Sequence, residues 1–86
     1  MFATVIWDDE PGGNVEHVAE HGITPDEADE VLLDDRIPTQ FTAKTGKPCK
    51  FGYTSTGKHI IVIWNEECDD PLTIYPVTAY ETPEPG

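Results

Sequence analysis

Apolar positions in the first third of this chain recur at helical spacing, and beyond Ile37 they recur as β-branched and aromatic runs. Val15, Val18 and Ala19 form one stripe. Ala28, Val31 and Leu32 form a second at i, i+3 and i+4, with Asp26, Glu27, Asp29 and Glu30 left for water. Thr24-Pro25-Asp26-Glu27 has the form of a capping box with proline at the first helical position, so a helix is predicted to start at Pro25. Asn14 is the expected N-cap of the helix before it, and Gly22 suits the left-handed residue that closes that helix. Asn14 to Leu33 is therefore predicted to be a tight pair of short helices.

The flanking segments read as strands. Ala3–Trp7 is a first strand that ends in the turn-forming Asp8–Gly13. Arg36-Ile37-Pro38 breaks the helical pattern, after which Thr39–Ala43 and Cys49–Tyr53 pair across Lys44-Thr45-Gly46-Lys47. Thr54–Gly57 then leads into His59–Trp64, whose unbroken apolar run marks a central strand buried on both faces. Asn65–Pro71 reads as an acidic loop. Leu72–Tyr80 is the last strand, with Pro76 at an edge position or a bulge. The predicted class is α+β: two short adjoining helices on one mostly antiparallel sheet of about four to five strands, in the order β-α-α-β-β-β-β. Residues 1–80 form one domain, and the Pro-rich residues 81–86 are a flexible tail.

Charge narrows the range of functions. Five Lys and Arg stand against 17 Asp and Glu, a net charge of −12 on 86 residues. Nucleic-acid affinity comes largely from neutralising phosphates with Lys and Arg, so this balance disfavours a general nucleic-acid binder and favours a basic partner. No apolar run approaches the ~20 residues of a membrane span. Cys49 and Cys68 lack metal-type spacing and no signal peptide precedes them, so reduced thiols in a cytoplasmic protein are expected, with a disulfide as the alternative. His17-Val18-Ala19-Glu20-His21 spells H-x-x-E-H, the inverted zinc-protease motif. A zinc hydrolase would need a third ligand and a cleft that so short a chain has little core to build. No metal or cofactor is therefore expected, and His21 is expected to cap the first helix, where cationic character is favourable.

Trp7-Asp8, Asn14, Glu20-His21-Gly22-Ile23 and Glu27-Ala28, followed by Gly52 and Gly57-Lys58 before an apolar strand, resemble the motif series of BrnT-like proteins in the same order. Each motif is short, but together they span Ile6 to Tyr80. The resemblance implies a fold of the RelE/ParE toxin class and a toxin that cleaves RNA and is neutralised by a small DNA-binding antitoxin. It departs from the family where cations are usual: Glu20 precedes His-Gly, Tyr53 follows the turn glycine, and Thr78 or a neighbour stands in the last strand. Lys47 and Lys58 best match the basic positions that remain, beside Arg36 and Lys50. His21, His59 and Tyr80 are the candidate acid or base groups.

Two functions of different class follow. One is a toxin-like or toxin-derived domain that works through a protein partner, an antitoxin-like basic protein, with nuclease activity weak or absent. The other is a BrnT-like ribonuclease of a type II toxin-antitoxin pair, with RNA as substrate and Lys47 and Lys58 clamping phosphate. A zinc hydrolase built on His17 and His21 is a distant third.

Overall fold

Thr24 starts the second helix as the sequence predicts. Its hydroxyl accepts from the Glu27 amide at 3.2 Å and the Glu27 carboxylate accepts from the Thr24 amide at 3.0 Å, which completes the capping box ahead of Pro25. The computed structural model describes residues 3–69 and 71–84. Its elements are β1 (Thr4–Val5), α1 (Asn14–Glu20), α2 (Pro25–Leu32), β2 (Gln40–Phe41), β3 (Pro48–Tyr53), β4 (His59–Asp69) and β5 (Leu72–Glu81). Thr24→Ala should cost about 0.5–2 kcal/mol while Thr24→Ser stays close to neutral. Equal losses in the two variants, measured by chemical denaturation, would assign the effect to something other than the cap.

The five strands form one sheet in the order β1-β5-β4-β3-β2. β1 runs parallel to β5, and the other three pairings are antiparallel. This is the α+β arrangement expected, with β4 in the middle. Side chains alternate across a strand, so Ile60, Val62 and Trp64 face the helices and pack with Val18, Ile23, Ala28, Val31, Leu32, Ile74 and Ala79 into one core. Ile61 and Ile63 point the other way; Ile61 is buried and Ile63 half-buried. None of the helices is long and apolar enough to cross a membrane among the described residues.

Gly13, not Asn14, is the N-cap of α1, and it contributes no side-chain bond. Asn14 is the first helical residue and is buried instead. Its Oδ1 accepts from the Asp8 amide at 2.7 Å, and its Nδ2 donates to the carbonyls of Ile6 and Pro76 at 2.9 Å each. β1 is shorter than the predicted Ala3–Trp7 because its pairing with β5 stops near Ile74, where the Ile6 amide donates to the Ile74 carbonyl. Past that point the Asn14 amide group bridges the two diverging backbones. Gly13 has to be glycine for this approach, since a Cβ there would lie 2.4 Å from the Asp8 carbonyl oxygen.

The predicted acidic loop is mostly strand. β4 continues through Asn65 to Asp69 because Leu72–Tyr75 goes on pairing with it, and the acidic residues Glu66, Glu67 and Asp69 stand exposed along it. Pro76 sits at a bulge, opposite Trp64, just past the point where β1 stops pairing with β5. β5 also runs to Glu81. Thr82 is tied down beyond it, its amide donating to the His59 carbonyl at 2.8 Å, so ordered structure reaches into the predicted tail. Residues 85–86 of that tail lie outside the described residues.

Candidate functional site on the open sheet face

Strand register assembles this site. Phe51, Ile61 and Tyr80 lie in one row across β3, β4 and β5; Cys49, Ile63 and Thr78 lie in the next, and Tyr53 opposes His59. All point away from the side that buries Ile60 and Val62 under α2. Phe51 and Tyr80 are each 37% exposed and Tyr53 is 57% exposed, whereas Ile61 between them is only 5% exposed. The rings therefore form the outer layer of this face. α1 packs along β5 and borders it.

At that border the helical spacing of His17 and His21 brings both imidazoles to β5. Their ring centroids lie 5.4 Å apart, His21 lies 5.8 Å from Tyr80, and His17 Nε2 is 3.2 Å from the Thr78 hydroxyl. Two of the residues singled out from sequence, His21 and Tyr80, are thus neighbours. His17 and Thr78 complete the group. In the sequence His17 stands out only through the H-x-x-E-H spacing, because the register that sets Thr78 beside it is a tertiary fact. Among the described residues no third His, Cys, Asp or Glu converges to hold a metal ion with them.

His59 sits further along the same face and is nearly buried. Its Nδ1 lies 2.9 Å from the Thr82 hydroxyl, its ring is 4.8 Å from Tyr53, and it stacks at 6.5 Å with Phe51. These contacts make His59 a packing centre for the aromatic patch. Phe51 and Tyr53 were legible as a strand but not as a surface; two aromatics at i and i+2 before a hairpin were the available signal.

The cations take other places. Lys58 Nζ donates to the Gly22 carbonyl at 2.7 Å and pairs with Glu27 Oε2 at 3.0 Å, which also accepts from the Thr56 hydroxyl. The Lys58 charge therefore fastens the β3–β4 turn to the first turn of α2. Glu27 is held well below the usual carboxylate range, at about 2, chiefly by the Thr56 hydroxyl, against an opposing push from burial, with Lys58 and the Thr24 amide adding to it. Lys50 is fully buried, and its Nζ donates to the carbonyls of Leu32 and Asp34 at 3.0 and 2.9 Å, closing the C-terminus of α2. Burial pulls its pKa down. Arg36 forks onto Asp34 at 3.0 and 2.9 Å, and its side-chain bond holds the Asp34 carboxyl at about 2. Lys47 Nζ donates to Asn65 Oδ1 at 2.6 Å, beside Glu66 and Glu67 in a shallow groove. Among the described residues Lys47 and Lys58, the two lysines expected as phosphate clamps, share no partner.

Cys49 is buried, and burial pushes its thiol up; Cys68 is exposed, and neither is disulfide-bonded. No family model, curated protein or solved structure matches this chain.

Proposed function

We propose that this is a toxin-type domain akin to BrnT-like proteins that acts in the cytoplasm by binding a basic protein partner and does not cleave RNA. One observation carries the proposal: of the five Lys and Arg, four are engaged within the chain, Lys50 and Lys58 at buried or half-buried partners, Arg36 by Asp34 at the surface and Lys47 by Asn65. Phosphate cleavage needs donors preorganised around a charge that grows in the transition state. Lysines already bound to carbonyls and carboxylates cannot supply that without breaking the contacts that hold the fold. A net charge of −12 adds a field that repels RNA and attracts a basic surface. Two unpaired thiols are in keeping with a reducing compartment.

A ribonuclease is the second reading, and the His17, His21, Thr78 and Tyr80 group favours it, since two imidazoles and a phenol can serve as acid and base. An RNA-cleavage assay with chelator decides between them. The wild-type protein is expected to cleave no faster than buffer and to bind RNA negligibly at physiological salt. Cleavage that drops about 100-fold in His21→Ala or Tyr80→Phe would place a ribonuclease site on the open face instead.

A further inference from the structure

We propose that the outer edge of β3, at Phe51 and Tyr53, takes up one extended, lysine- or arginine-rich strand of the partner protein by adding it to the sheet. This rests on the protein-binding function above and names how the partner is held.

The register leaves the edge open. The Thr42 amide donates to the Lys47 carbonyl at 2.9 Å and Gln40 opposes Cys49, so odd-numbered residues of β3 turn their backbone groups outward to β2. On the inner side the Thr54 amide donates to the Lys58 carbonyl at 2.8 Å, so even-numbered residues face β4. The same alternation turns the amides and carbonyls of Phe51 and Tyr53 outward. Continuing the antiparallel register, Pro38 would oppose Phe51, and proline has no N–H to donate. β2 therefore covers only Pro48 and Cys49. Ile37, next to Pro38, lies over Gly52 on the helix side, where its Cδ1 is 2.7 Å from the position of a Gly52 Cβ. Among the described residues no backbone hydrogen bond from β2 or a neighbouring loop reaches Phe51 or Tyr53.

Sheets normally guard such an edge with a charge, a proline or a bulge. Phe51-Gly52-Tyr53 has none of these, and both rings are exposed. A groove lined by Asp34, Arg36, Ile37, Gly52, Tyr53 and His59 runs beside it. One added strand would find two outward amides, two outward carbonyls and two ring faces on alternate positions, as strand addition requires.

Charge selects the occupant. A second copy of this chain would bring another −12 to the same edge. Arg36 is neutralised by Asp34, and Glu30 lies nearby with its carboxylate on the Ser55 amide at 3.1 Å, so the flanks favour a cationic strand. Lysine or arginine stems can lie across the faces of Phe51 and Tyr53 with their charges toward Glu30.

The full chain, labelled with nitrogen-15, is titrated with a ten-residue peptide of alternating lysine and valine, and with the same peptide N-methylated on alternate residues so that one edge cannot hydrogen-bond. The plain peptide is expected to shift and protect the Phe51 and Tyr53 amides, and the methylated one to bind about tenfold or more weaker, since ladder bonds are lost while charge is kept. Tyr53→Ala keeps the backbone edge and should weaken the plain peptide only partly. Equal binding of both peptides, or shifts confined to other strands, would overturn the edge site while leaving a basic partner in place. Binding of neither peptide would overturn the protein-binding function itself. Self-association through β3 in the absence of peptide would name a second copy as the occupant and overturn the cationic strand.

Discussion

Glu27→Ala is expected to destabilise the domain by about 3 kcal/mol, a large share of the 5–15 kcal/mol typical of a folded domain. The residue is 5% exposed and its two oxygens serve the Thr24 amide, the Thr56 hydroxyl and the Lys58 ammonium. Truncation removes the reciprocal half of the capping box and leaves Lys58 facing helix α2 without its counter-charge. Glu27→Gln should fall between, because an amide oxygen still accepts from Thr24. The pH dependence follows from the sign of the shift: the carboxyl titrates near 4.5 in the unfolded chain and near 2 in the folded one. Its contribution is complete above about pH 4.5 and is lost as the pH falls through 2. Denaturation midpoints of the wild type and Glu27→Gln, compared from pH 7 to pH 2, should converge at the acid end. A constant gap across that range would mean that the carboxylate charge contributes nothing.

Asn14→Ala is expected to cost a similar amount, about 3 kcal/mol, since it strands three backbone groups that one side chain now satisfies. The residue is 3% exposed. Asn14→Asp is the sharper test. It keeps the acceptor for the Asp8 amide but turns the donor toward the Ile6 and Pro76 carbonyls into an oxygen, so it should be at least as damaging as alanine. An Asp variant near wild-type stability in a urea titration would show that the two carbonyl bonds carry little.

Local chemistry was what the sequence displayed best. Thr24, Pro25 and Glu27 announced their helix because all the atoms of the capping box lie within one turn. Gly22, with φ of +77°, announced the turn between the helices for a similar reason. The apolar run at His59 announced the middle strand. What stayed hidden depends on pairing between distant segments. Asn65 to Asp69 looks like a loop by composition, and only the neighbouring β5 makes it strand. Asn14 has the chemistry of a cap and is recruited instead by carbonyls from Ile6 and Pro76. The site was legible in the same uneven way. His21 and Tyr80 stand out by their chemistry and do meet, whereas Lys58 stands out only by a motif position and is bound to Glu27. Nothing local in the sequence distinguishes a free lysine from one committed to a buried carboxylate.

The parallel pairing of β1 with β5 sets an order on assembly. β3, β4 and β5 are joined by short turns, so their contacts can form at little cost in chain entropy. Thr4 and Val5 must find Thr73 and Ile74 from almost the other end of the chain, so β1 is expected to be the strand that closes last. Asn14 then acts as the latch on that final closure. A latch formed after the transition state leaves the folding rate alone and governs how soon the native protein reopens. Persistence of the folded state, and not the speed of reaching it, is therefore what this one buried amide is expected to control.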